Sequence, residues 1–366
     1  MNNVLPAKIQ AQLSKILEQN IQVISCEPLN SGDNIWVDRI VVTDSRENFT
    51  SLIVKYINPN LNIKNEKIEI KAEYIEEQFN YIFLSKIRDS FPFFPELIGY
   101  KENLMILEDL GKSEYSEPPD LYSLKNIATV LAKLHSATAN QYSLFKKTRE
   151  EVNLDDIDRR LYCKDYYNFL FARGARQINW YCDLLNIKRQ NYEKLINEIQ
   201  DNINNPEVFH AFIHHDLVSK RQFIYVKNKV YLIDFEHGEY SHALLDIAKI
   251  LVGSIEWKRK EQVYIINHPN VTKEIIDMYR IEYSKYRQIE FDDTVWKMNL
   301  SSALIHSTLS VLGELFELPS NFKPETSIEA NIKLLINRLM YLLEGNDYHQ
   351  DLKETIKNLD SRIVYV

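Results

Sequence analysis

Apolar residues along this chain follow two rhythms, and the switches between them lay out its elements. A helical stripe of Ile9, Leu13, Ile16 and Leu17 comes first. Residues 21 to 27 (IQVISCE) then alternate as a strand, residues 29 to 34 turn, and residues 36 to 42 resume as a strand. Residues 50 to 57 (TSLIVKYI) make a third strand carrying Lys55, and residues 65 to 87 a long charged helix. A proline- and aromatic-rich turn at 91 to 100 (FPFFPELIGY) leads into a strand, another follows at 104 to 107, and Glu108-Asp109-Leu110-Gly111 closes it.

From there the period is helical. Residues 121 to 137 place Leu124, Ile127, Ala128, Leu131, Leu134 and His135 on one face, which makes His135 a packed core histidine. The charge run 146 to 160 (KKTREEVNLDDIDRR) reads as a solvated linker, and residues 162 to 185 as a helix packed by Tyr162, Tyr166, Tyr167, Trp180 and Tyr181. Further helices are expected at 243 to 256, 273 to 286, 294 to 316, 326 to 344 and 348 to 359. Strands gathered early and helices late predict an α+β chain.

One stretch, residues 212 to 248, breaks the helical run and carries the chemistry. An apolar run enters His214-His215-Asp216, and a polar loop ends at Gln222. Residues 223 to 226 and 230 to 233 read as the two strands of a hairpin turning at Lys227-Asn228-Lys229. The hairpin brings Gln222 and Asp234 close, although they are distant in sequence. A zinc reading of His214, His215, Glu236 and His237 is set aside, because the group contains no cysteine and no His-Glu-x-x-His helix occurs.

At these residues the chain resembles the aminoglycoside phosphotransferase and choline kinase-like branch of the protein-kinase fold. That family's pattern is His-x-Asp, a loop ending in Asn, a hairpin, an Asp closing its second strand, then Asp-Leu-Ala. The counterparts are His214-His215-Asp216, Gln222, Ile233-Asp234-Phe235-Glu236 and Asp246-Ile247-Ala248. The resemblance implies a bilobal fold: a nucleotide-binding N-lobe at 1–107 with a small antiparallel sheet and one long helix, a hinge at 108–112, and a mostly helical C-lobe at 113–366. It implies transfer of the γ-phosphate of ATP or GTP, with Mg²⁺, to a hydroxyl of a small-molecule acceptor.

Roles carry over by position. Asp216 is the implied base, and Gln222 and Asp234 are the metal ligands. Lys55 clamps the nonreacting phosphates and pairs with Glu77, with Glu73 and Glu76 as further candidates on the same helix. Ser31 and Asn34 belong to the phosphate turn, and the segment of Glu108 and Leu110 reads the adenine edge through its backbone. His214 and Asp246 brace the catalytic loop, while Glu236 and Glu239 form an acidic rim that attracts an amine on the acceptor.

The chain departs from the family at two places. Gln222 replaces the metal-binding Asn, with Arg221 where strict counting would put it, and the phosphate turn holds a single glycine. An amide oxygen on one extra methylene is still a hard ligand suited to Mg²⁺. These departures keep open a nucleotide-binding module without turnover. A kinase acting on protein is the other alternative, against which the lack of Asp-Phe-Gly and Ala-Pro-Glu elements counts.

Composition narrows the class. At 366 residues the chain is long enough for two lobes, and 45% hydrophobic with 26% charged residues is the balance of a globular protein. Only 8 glycines against 22 tyrosines leave little for flexible loops. A formal charge of −8 disfavours nucleic acid and suits a cationic acceptor. Cys26, Cys163 and Cys182 are too few and scattered for a disulfide framework, which fits the cytoplasm. No run of about eighteen apolar residues occurs, so no membrane partner is expected.

Overall fold

The computed structural model describes residues 7–31, 34–44, 46–58, 66–101, 103–114, 121–152, 164–188, 191–217, 222–255, 263–264, 269–316 and 328–362. The elements in chain order begin α1 (Ala7–Ile16), β1 (Gln22–Ser31), β2 (Ile35–Thr43), β3 (Phe49–Ile57), α2 (Glu66–Lys86), β4 (Leu97–Lys101) and β5 (Leu104–Glu108). The middle holds α3 (Leu121–Thr138), α4 (Tyr142–Glu151), α5 (Lys164–Leu184), α6 (Tyr192–Asn204), β6 (His210–Ile213), β7 (Phe223–Val226), β8 (Lys229–Leu232), β9 (Glu239–His242) and α7 (Leu244–Val252). The chain ends with β10 (Ser254–Ile255), β11 (Val263–Tyr264), α8 (Pro269–Arg287), α9 (Asp293–Leu315), α10 (Ile328–Leu342) and α11 (Gln350–Arg362). The α+β expectation holds, with strands concentrated early and helices late. Among the described residues no helix is long and apolar enough to cross a membrane.

The chain forms two compact units, each assembled from three segments. The first is Met1–Tyr115, Ser143–Asp158 and Lys220–Gly238; the second is Ser116–Tyr142, Arg159–Ser219 and Glu239–Val366. Within the first unit, five antiparallel strands run in the order β1-β2-β3-β5-β4. Alternation along β3 sends Leu52, Val54 and Tyr56 to one face, where they meet Ile40, Val42, Leu104 and Ile106 beneath Ile9 and Leu13 of α1. Lys55 has the opposite parity and faces away from that cluster. There the Tyr74 hydroxyl of α2 donates to the Lys55 carbonyl at 3.2 Å.

Two further segments complete this unit. The β7–β8 hairpin pairs Val226 with Lys229, leaving Lys227 and Asn228 as a two-residue turn with φ of 50° and 62°, the left-handed pair that a tight hairpin requires. It is fastened where Leu232 N–H donates to Phe93 O (2.9 Å) and Glu114 N–H donates to Tyr225 O (2.7 Å). The other segment corrects an expectation. Residues 146 to 151 are not linker but part of α4, whose Phe145, Thr148 and Arg149 are buried. Phe145 sets its ring edge-on to Phe79 and Phe83 of α2, and Arg149 forks onto Glu76 at 2.7 and 2.5 Å. Residues 153 to 160 of that charge run lie outside the described residues, as do Tyr162 and Arg221.

The second unit is built around α9. Gly174 of α5 and Gly313 of α9 let these helices approach until backbone meets backbone: a Cβ at Gly313 would collide with the Leu170 carbonyl, and one at Gly174 with the Leu309 carbonyl. Helix α6 and the β6–β9 pair were not expected from the pattern, β9 being only four residues long. Helix α7 stops at Val252 rather than 256, because Gly253 turns out at φ 91° and β10 pairs with β11. Strand β1 runs on to Ser31, through a register shift at Pro28/Asn30, where a turn was expected.

Candidate active site

Parity on β3 and helical spacing on α2 bring Lys55 and Glu77 together in the first unit, with Nζ to Oε2 at 2.5 Å. Glu77 meets the lysine in this way, and Glu76 is taken by Arg149. The β8 end supplies the third member, since Lys55 Nζ donates to Asp234 Oδ1 at 2.6 Å. Glu77 is 1% exposed and Lys55 8%. Ionic groups that deeply buried persist only when paired.

The segment carrying Asp234 is tied to α2 by groups the sequence reading did not single out. Asn80 Nδ2 donates to the carbonyls of Phe235 (2.7 Å) and Gly238 (2.9 Å), and Tyr81 sets its ring edge-on to Phe235. An Asn inside the apolar run around Phe79 to Phe83 was the available signal, because a buried amide needs a carbonyl to bond. The hairpin register puts Gln222, itself buried, beside the same segment: Ile233 N–H donates to the Gln222 carbonyl at 3.0 Å. Asp234 holds a left-handed backbone, φ 67°.

Charge in this cluster is unbalanced. Oxygens of Glu77, Asp234 and Glu236 lie within 4.8 Å of one another, and the ammonium of Lys55 is the cation engaged with them. Burial opposes the Lys55 charge, but Asp234, Glu77 and Glu236 together hold its pKa well above the ordinary value. Burial, reinforced by Asp234, pushes Glu236 well up. Burial also pushes Glu77 up to about 7, against the pull of Lys55. Three carboxylates that each offer an oxygen within this span could hold a hard divalent ion.

The second unit holds the His-His-Asp segment. Asp246 Oδ2 and Oδ1 accept the backbone N–H groups of His214 and His215, each at 2.8 Å. His135 Nε2 lies 3.0 Å from Asp246 Oδ2, and its Nδ1 lies 2.6 Å from the Tyr279 hydroxyl. Burial works against the Asp246 charge, yet His135 and the His214 N–H keep its pKa below the usual carboxylate range. His215 takes φ 68°, stacks on Tyr167 with ring centroids 3.6 Å apart, and brings Nδ1 within 3.1 Å of Glu239. Asp216 follows directly, half-buried, and His214 is fully buried.

The remaining expected residues lie in the first unit. Asn34 is exposed at the β1–β2 bend, and its carbonyl accepts from Asn58 N–H at 2.8 Å; the Ser31 side chain lies outside the described residues. Glu108 ends β5 with its carboxylate accepting from Arg88 (3.2 Å) and from the Glu96 N–H (3.1 Å). Leu110 is half-buried two residues on.

A strand lysine paired with a helix glutamate and with an aspartate closing a hairpin, on an α+β chain, defines a kinase-like phosphotransferase. Among solved structures, the amicoumacin kinase hAmiN in complex with AMP-PNP, Ca²⁺ and Ami is 15% identical with a TM-score of 0.54, over 95% of this chain and 97% of that one, a likeness of fold. An aminoglycoside phosphotransferase from Alicyclobacillus acidocaldarius is 12% identical with a TM-score of 0.48, over 100% and 98% of the two chains. An ethanolamine kinase from Plasmodium vivax is 16% identical with a TM-score of 0.46, over 93% and 84%. No curated protein sequence matches the chain. Residues 39–268, more than half the chain, match the profile of the ecdysteroid kinase-like family. The chain belongs to that family and is an enzyme of the small-molecule kinase class, transferring phosphate to an alcohol group.

Proposed function

We propose that the chain moves the γ-phosphate of ATP or GTP to a hydroxyl of a small, amine-bearing acceptor, using Mg²⁺. The observation that carries this reading is Lys55 pinned between Glu77 and Asp234. Lys55 holds the nonreacting phosphates, and Glu77 keeps the ammonium in place. Asp234 and the Gln222 amide would hold Mg²⁺, with Glu236 within reach as a further oxygen; the ion offsets charge on the phosphates when bound. Asp216 accepts the proton of the acceptor hydroxyl, and Asp246 steadies its loop through the two N–H groups it receives.

The main chain of residues 108–112 takes the nucleobase edge, residues 1–107 bind nucleotide, and residues 113–366 supply the base and the acceptor pocket. A net charge of −8 supports a cationic acceptor, and a cysteine content of three scattered residues supports a cytosolic protein. Purified protein should consume Mg-nucleotide only when an acceptor from a panel of amino alcohols, aminoglycosides and sugars is supplied. Asp216→Ala should lower turnover by about 10² to 10⁴-fold. Unchanged turnover in that variant would remove Asp216 from the mechanism. Gln222 in place of Asn favours a second reading, a nucleotide-binding module. Mg²⁺-dependent nucleotide stabilisation without turnover on any acceptor would select it.

A further inference from the structure

Apart from the lysine cluster, the first unit holds a side-chain network around Asp109. Arg39 of β2 donates from Nε to Asp109 Oδ2 (2.8 Å) and from Nη2 to Asp109 Oδ1 (3.2 Å), a two-pronged contact. Arg39 Nη2 also reaches the Gly111 carbonyl (3.2 Å), and Nη1 is bonded to Glu27 of β1 (3.2 Å). Ser51 Oγ of β3 donates to Asp109 Oδ2 (2.5 Å), and the Gly111 N–H donates to Asp109 Oδ1 (2.9 Å). Burial works against the Asp109 charge, but Arg39, Ser51 and the Gly111 N–H hold its pKa below the ordinary value.

These contacts have an unusual distribution along the chain. Asp109 turns its carboxylate back onto the sheet, and Gly111, at φ 93°, is bonded through both its N–H and its C=O. Leu110 lies between them. Among the described residues, neither its N–H nor its C=O has a hydrogen-bond partner. Three strands therefore fix the residues on either side of one whose main-chain donor and acceptor are left open. Open, half-buried main-chain groups held rigidly suit the edge of a planar heterocycle, which offers a complementary donor and acceptor.

We infer that Arg39 and Asp109 are a positioning pair for nucleobase recognition: they set the angle at which Leu110 presents its backbone edge, and so set nucleotide affinity and the choice between adenine and guanine. This rests on the kinase reading above. Neither side chain touches the nucleotide; the guanidinium acts through the backbone it holds. A lysine could keep the charge but not the fork, so the arginine geometry is the part that matters.

The test is kinetic. Arg39→Gln should raise the nucleotide KM about tenfold, with kcat and the acceptor KM held within about twofold, and should draw the ATP to GTP preference toward one. Arg39→Lys should fall between wild type and Arg39→Gln. A purely structural arginine would instead lower Tm and leave the nucleotide KM of the folded fraction where it was, and that result overturns the proposal. Should Arg39→Gln not fold, Ser51→Ala removes a single donor to Asp109 and should raise the KM about threefold; an unchanged KM there is equally fatal. The dependence on the kinase reading is checked separately with wild-type protein. Absence of any Mg-ADP thermal shift sinks that reading, whereas a normal wild-type shift with unaffected variants sinks only the positioning pair.

Discussion

His215 and Asp234 both hold a left-handed backbone, φ 68° and 67°, where a side chain is costly and glycine is not. Strain of this kind survives where the side chain is needed. Asp234→Gly and Asp234→Ala remove the same carboxylate, so both should lose activity. The glycine variant should nevertheless be about 1 kcal/mol more stable in urea, because it relaxes the backbone. Equal stabilities would remove strain from the account.

The raised carboxylates beside it set a pH dependence. With Glu77 pushed up to about 7 and Glu236 up as well, the folded chain binds protons that the unfolded chain has already released. The cluster therefore costs stability progressively as pH rises from the ordinary carboxylate range to about 7. On the proposed function Mg²⁺ binds the ionised form, so its stabilising effect on Tm should grow over the same interval. A Tm gain from Mg²⁺ that is the same at pH about 5 and about 8 would contradict this. Lys55 and its pairing with Glu77 were legible in the sequence, with Glu73 and Glu76 left as further candidates on the same helix. Glu76 is removed by Arg149, and Arg149 sat in a run that reads as solvated because its polar residues conceal their partners on α2.

Elements with strong periodicity were legible and those with weak periodicity were not. Helix α2 and strand β3 were expected within a residue or so of their bounds, since apolar spacing repeats over their length. Helix α4, YSLFKKTREE, buries only Phe145, Thr148 and Arg149, too sparse a stripe to outweigh its charge. Nor does any pattern announce how closely two helices approach. Small residues allow close packing, but only the fold says which ones are used. Gly313→Ala should drive a methyl group into the Leu170 carbonyl and cost about 1–3 kcal/mol, measured by urea unfolding, whereas alanine in an open helix position would stabilise. A neutral or stabilising result would mean that α5 and α9 can separate freely.

At the scale of the whole chain, the order of landmarks was readable while the grouping of segments was not. Hairpin β7–β8 was expected from its turn residues, yet its membership of the unit that holds the five-stranded sheet comes from hydrogen bonds to Phe93 and Glu114. The resemblance supplied the class, and the family match upholds it. One consequence is testable by truncation. A fragment of residues 1–115 lacks α4, the hairpin and Asp234, so it should show no cooperative unfolding transition. A sharp transition like that of the full chain would show that the sheet stands without those segments.

The three-part make-up of that first unit also bears on biosynthesis. A ribosome completes the sheet about 120 residues before Gly238 is made, and elongation at about 5–20 residues per second stretches that gap to the order of ten seconds. Until residue 234 is made the nascent chain carries Lys55 without Asp234, and until residue 145 it carries α2 without Phe145 to cover its aromatic side. Such a surface is prone to aggregate before it is covered, so yield in cells should depend on chaperones more than the finished protein's stability would suggest.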